Sequence, residues 1–129
     1  MGLKPSSEMY LETIYILTKS KPFVRSIDIA EHMNYSRPSV SRGIGILKKA
    51  KYIVVDTDGY ISLTDRGLLL AEKIYERHTV LSKILMMLGV DEKTAIEDAC
   101  KAEHVISDRS FQALKKHAED KQRSEKDRS

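Results

Sequence analysis

Tyr10, Ile14 and Leu17 recur at spacings of four and three, and Leu11 with Tyr15 widens the same apolar stripe. That pattern predicts a helix from about Ser6 to Ser20, with Ser6 or Ser7 as its N-cap and Pro5 just before it. Thr18 closes the stripe, and Lys19 to Pro22 breaks the chain. Ser26 to Met33 reads as a short helix capped by Ser26. After Asn34 and Tyr35, Ser36 is a natural N-cap and Pro38 falls in a first turn, where proline is tolerated. The helix that follows, about Arg37 to Ala50, buries Val40, Ile44 and Leu47. Two short helices joined by a tight turn, the second opening on polar residues, form a helix-turn-helix pattern.

The periodicity then changes. Two β-prone runs between Tyr52 and Leu63 flank Thr57-Asp58-Gly59, a hairpin signal that reads as a wing behind a recognition helix. A three-helix domain with an incidental hairpin is the plainer alternative. Thr64 caps a long helix to about Leu88, stopped by Gly89. Asp91 caps another to about Ile106, and Ser107 or Asp108 opens a last helix to about His117. From Ala118 the chain is almost wholly charged or polar and is expected to be a frayed helix end and disordered tail. The fold class expected is mainly α: a winged helix-turn-helix over residues 1–64, a helical domain over 65–117 and a tail over 118–129.

Composition narrows the class. Of 129 residues, 32% are charged, and no apolar run reaches the length a membrane span needs. The N-terminus has no apolar signal core, so a cytoplasmic protein is expected. A single cysteine, Cys100, excludes an internal disulfide and leaves packing, a reactive thiol, an intermolecular bridge or metal ligation. Residues 1–64 carry 9 Lys and Arg against 6 Asp and Glu, whereas residues 65–129 carry 13 of each. All of the +3 net charge therefore lies in the half with the helix-turn-helix pattern.

Cys100, Glu103 and His104 stand at i, i+3 and i+4 of the helix expected over residues 91–106, beside a small-residue stripe of Ala95, Ala99, Ala102 and Ile106. A thiolate, a carboxylate and an imidazole on one patch are three common transition-metal ligands. Met9 and Glu12 present a thioether and a second carboxylate at i and i+3 of the first helix. His78 shares a face with Tyr75, Leu81 and Leu85. By spacing alone, Met9 is equally a core filler, His78 a half-buried histidine, and Glu103 with His104 a solvated pair. No zinc-protease motif, nucleophile elbow, P-loop or dinucleotide fingerprint is present, so the protein is not expected to be an enzyme. At the start of the recognition helix, Arg37, Pro38, Ser39 and Arg42 offer donors for guanine edges and phosphates and an apolar contact for a thymine methyl. The bland reading of each arginine is a surface charge.

The segments EMYLETIY, SIDIAEHM, SRPSVSR, DGYISLT, ERH, LGVDE and DACKAEHVISD, in order from Glu8 to Asp108, resemble the diphtheria-toxin-repressor and manganese-transport-regulator family of metal-dependent repressors. The resemblance implies a metal-activated repressor that binds double-stranded operator DNA as a homodimer, away from membranes, with residues 65–117 serving metal binding and dimerisation. It assigns Met9, Cys100, Glu103 and His104 to a primary regulatory metal site. Glu12 and His78 match positions that help hold a pair of ions in the manganese branch. That branch has carboxylates where this chain has Met9 and Cys100, and the ancillary site of the iron branch falls here on Ser82 and Ile96, which are not ligands. The SH3-like domain of longer members is expected to be absent. Sulfur ligands favour Fe2+ over Mn2+, and Ni2+, Co2+ or Zn2+ should bind in vitro. Two alternatives remain open: a metal-independent winged-helix regulator with a small-molecule ligand, and a redox sensor built on Cys100.

Overall fold

The computed structural model describes residues 3–128. Among the described residues, six helices and one hairpin follow one another: α1 (Pro5–Ser20), α2 (Ser26–Met33), α3 (Arg37–Lys49), β1 (Ile53–Val55), β2 (Ile61–Leu63), α4 (Asp65–Met87), α5 (Glu92–Ala102) and α6 (Asp108–Arg128). They divide into two compact units, Met1–Ile74 and Tyr75–Ser129.

In the first unit α1, α2 and α3 pack on one another, with β1 against α3 and β2 against α1. Leu11, Ile14, Ile29, Val40 and Leu47 are buried in its core, as the sequence stripes require. The first turns of α4 belong here too, because Ala71 and Ile74 join the same core. α1 starts earlier than its serines suggested. Lys4 is the N-cap and Pro5 the first helical residue, where its missing N–H costs nothing. Ser26 is likewise inside α2 and not its cap. The Asp28 carboxylate turns back instead, accepting the Arg25 backbone N–H at 2.8 Å. Ser36 caps α3 as expected, its side chain accepting from Ser39 N–H.

The hairpin is antiparallel with Val54 opposite Ser62, and its turn is built by Asp56. One oxygen of that carboxylate accepts the N–H groups of Asp58 and Tyr60, both at 2.9 Å, and Gly59 takes the left-handed φ of 85° that closes the reversal. Thr64 caps α4 by accepting the Gly67 N–H at 3.0 Å while donating to the Lys51 carbonyl at 2.7 Å.

In the second unit α4 ends before Gly89, whose φ of 97° needs a glycine. Asp91 caps α5 by accepting the Thr94 N–H at 3.0 Å. α5 ends at Ala102, four residues short of the expectation, so Glu103 is its C-cap and His104 lies in the turn beyond. Ser107 accepts the Ser110 N–H and starts α6. α6 continues to Arg128, through the residues expected to form a disordered tail. Those residues are mostly Lys, Arg, Glu and Gln, which lose little side-chain freedom in a helix, so an apolar face is not needed for helical geometry. Among the described residues, no helix is long and apolar enough to cross a membrane.

Candidate functional site

Two places concentrate chemistry, one in each unit. In the second unit the centre is Glu103, whose side chain is fully buried. Each of its carboxylate oxygens faces an imidazole nitrogen: Oε2 lies 2.9 Å from His78 Nδ1, and Oε1 lies 3.1 Å from His104 Nε2. His104 is itself 2% exposed at its side chain. α4 supplies His78, and the turn after α5 supplies the other two. Cys100 stands half-buried on the last turn of α5, three residues before Glu103.

Burying a carboxylate is costly unless it is paired, and two imidazoles are weak compensation when neutral. The same arrangement suits a cation. Bonds of roughly 2.1 Å from one ion put neighbouring donor atoms about 3.0 Å apart at right angles and about 3.4 Å apart at tetrahedral angles, at or a little beyond the two separations seen here. Carboxylate, imidazole and thiolate are also donor types that first-row divalent metals accept. The residues present therefore fit a divalent transition metal.

Met9 and Glu12, the other sequence-predicted ligands, stand one turn apart on α1 in the first unit, Glu12 buried and Met9 half-buried. Ser82 is buried and its hydroxyl donates to the His78 carbonyl at 2.7 Å, while Ile96 is exposed on α5. Neither provides a ligand for an ancillary site.

The second place is the start of α3. Arg37, Pro38 and Arg42 are exposed there and Ser39 is half-buried. Ser39 is a node: its hydroxyl accepts from Ser36 at 2.9 Å and from Arg42 Nη2 at 3.4 Å, and its carbonyl accepts the Tyr10 hydroxyl. Arg37 also lines a groove of about 410 Å³ with Arg25, Ser26, Ile27 and Gly59 of the wing turn. Arg25 is held over the Tyr60 ring at 4.4 Å. Spacing alone singled out neither Arg25, which lies outside the recognition helix, nor Arg77 on α4, and it placed Tyr10 in the apolar stripe of α1 without its bond to Ser39.

The chain matches a family model for the N-terminal DNA-binding domain of iron-dependent repressors over residues 2–61. It matches the metal-binding and dimerisation domain of the same repressors over residues 64–128. An uncharacterised HTH-type transcriptional regulator of Methanocaldococcus jannaschii is 34% identical, the match spanning 88% of this chain and 92% of that one. The HTH-type transcriptional regulator MntR of Lysinibacillus sphaericus is 35% identical over 80% of this chain and 74% of its own. Among solved structures, that of the manganese regulator SloR superposes with a TM-score of 0.79 at 29% identity, covering 92% of this chain. This chain spans 55% of that one's length.

Proposed function

The chain belongs to the iron-dependent repressor family, and from that premise we propose that it is a cytoplasmic transcriptional repressor that binds operator DNA as a homodimer when a divalent metal is bound. One observation carries the metal half of this reading: the fully buried Glu103 carboxylate set between the imidazoles of His78 and His104. Cys100, Glu103, His104 and His78 would hold the ion from the second unit, and Met9 with Glu12 would complete the set from α1. Bound there, the ion would set a positive charge against the buried carboxylate. Each imidazole and the thiol must be free of its proton to serve as a ligand, so affinity falls with falling pH. The thioether and thiolate favour Fe2+ over Mn2+, and Co2+, Ni2+ or Zn2+ bind in vitro by the Irving–Williams order.

The DNA half rests on the exposed Arg37, Pro38 and Arg42 with Ser39 at the start of α3. Arginine there serves base edges or phosphates, and Arg25 and Arg37 line one groove beside the wing turn, where they suit the DNA backbone. The homodimer would set two copies of α3 about one DNA turn apart, roughly 34–36 Å.

The test is direct. Duplexes enriched from a random-sequence library by the anaerobic, Fe2+-loaded protein are titrated at one salt concentration, with Fe2+ and with a chelator. Metal should tighten binding by about 5- to 150-fold, the range of ordinary allosteric couplings. Equal affinity in both conditions refutes metal activation. Arg42→Ala should weaken binding to the same duplex while leaving metal affinity unchanged.

A further inference from the structure

α5 ends at Ala102 with Glu103 as its C-cap, and the carbonyls past that end need partners from elsewhere. Both come from one side chain 26 and 29 residues earlier. Arg77 Nη1 donates to the Glu103 carbonyl at 3.2 Å and to the Ile106 carbonyl at 2.9 Å. Its other terminal nitrogen pairs with the Asp108 carboxylate at the first residue of α6. The guanidinium lies 5.6 Å from the centre of the buried Phe111 ring, and the side chain is 12% exposed. One α4 residue thus holds the end of α5, the far end of the turn and the start of α6. Its chain neighbour, His78, faces the Glu103 carboxylate from the same helix.

We propose that Arg77 is a positioning residue for the metal centre: it fixes the turn from Glu103 to Ser107 in its ligand-presenting shape before any ion arrives. The inference rests on the metal reading given above. The Glu103 N–H still closes the α5 ladder on the Ala99 carbonyl at 2.9 Å, and the N–H groups of Val105 and Ile106 both return to the Ala102 carbonyl, but the carbonyls of Glu103 and Ile106 lie past that ladder and are taken up by Arg77. Arg77 extends that hold past the helix end, and a preorganised ligand set binds more tightly than one that must be ordered on binding. Asp108 offsets the guanidinium charge, which would otherwise oppose a cation nearby. The planar fork is the essential feature. A lysine keeps the charge but presents a single point of donation and cannot span two carbonyls and a carboxylate together.

The experiment compares the full chain with Arg77→Lys, Arg77→Met and Glu103→Gln. Co2+ affinity is measured by competition with a chromophoric chelator, and amide exchange of residues 103–107 is followed in metal-free protein. Arg77→Lys should bind Co2+ at least ten-fold more weakly, with turn amides exchanging at least ten-fold faster and unchanged helical circular dichroism. Arg77→Met should lose at least as much, and the lysine variant keeps the test valid should methionine prevent folding. Wild-type Co2+ affinity in Arg77→Lys, or unchanged turn protection, overturns the proposal. Glu103→Gln separates the two levels. If it loses the site while Arg77→Lys binds normally, only the positioning role fails. If Glu103→Gln itself binds as wild type, the metal reading fails and takes the positioning role with it.

Discussion

The hydroxyl of Tyr10 donates to the main-chain carbonyl of Ser39 at 3.2 Å, tying α1 to the first turn of α3. The same ring packs so closely on Gly43 that a Cβ there would lie 2.5 Å from it, and it meets Tyr35 edge-on at 6.0 Å. Burial beside Tyr35 holds the phenol above its ordinary pKa of 10.0, so the donor stays protonated at any physiological pH. Met9 directly precedes Tyr10 and Glu12 follows it two residues later, so the proposed α1 ligands and the proposed DNA-reading turn share one mechanical link.

Tyr10→Phe should therefore keep the ring packing and lose only the bond, costing about 1 kcal/mol of stability. DNA affinity of the metal-loaded protein should fall about five-fold, while metal affinity without DNA stays as it was. Paired anisotropy and metal titrations check this. A fall in metal affinity with unchanged DNA binding would show that the hydroxyl serves α1 alone.

Gly67 faces the Tyr52 carbonyl so closely that a Cβ would stand 1.9 Å from its oxygen. Gly67→Ala must move backbone, and overpacking of this kind costs about 1–3 kcal/mol or more, outweighing the roughly 1 kcal/mol alanine gains in a helix. Gly45→Ala has nothing within 4 Å of its new methyl and should gain that propensity. Urea melts of the two variants should therefore shift in opposite directions.

Asp28 is held below its ordinary pKa of 3.8 first by the Arg25 backbone N–H and then by Lys21, whose ammonium lies 3.0 Å away. A depressed carboxylate stabilises the fold above its unfolded value and loses that contribution as pH falls through the folded value. Asp28→Ala should cost about 1 kcal/mol at neutral pH, the usual loss of a helix-start acceptor. The gap between wild type and variant should stay constant above pH 3.8 and shrink below it. A gap independent of pH across that range would show that the carboxylate charge contributes nothing.

Where a signal was local, the sequence was a sufficient guide. Ser36, Thr64 and Asp91 cap the helices they were expected to cap, and the Val40, Ile44 and Leu47 stripe is the buried face of α3. The winged helix-turn-helix was legible because its hairpin turn is specified within five residues. What escaped was set by distant partners. α5 stops at Ala102, and the two carbonyls beyond that end are held by Arg77 from another helix. The exception is local: α2 begins at Ser26 because Asp28 reaches back three residues to Arg25, a role that the serine obscured. The convergence of Cys100, Glu103 and His104 was inferred on a helix that proves shorter. Glu103 and His104 do meet, in the turn, with His78 as the third member, a pairing no spacing rule connects across 25 residues.

Metal choice can be shifted by ligand hardness. Met9→Asp with Cys100→Glu replaces the two proposed sulfur donors by carboxylates, which suit manganese better than iron. The ratio of Mn2+- to Fe2+-activated DNA binding should rise on the order of ten-fold, within the range by which changes around a metal site alter affinity. One duplex and one salt concentration are required, since DNA affinity falls steeply with salt. An unchanged ratio, with the parent protein already responding equally to both ions, would show that sulfur does not set selectivity.

On the proposed function, the carboxylate of Glu103 couples metal to DNA binding. Glu103→Gln keeps the shape of the side chain and removes its charge, so the measurement is a DNA titration of this variant with and without Fe2+, beside the parent chain. The two isotherms of the variant should coincide, while those of the parent separate by about 5-fold or more and both proteins keep the same helical circular dichroism. A variant whose DNA binding still tightens with Fe2+ as fully as the parent's would show that the Glu103 charge does not couple the two.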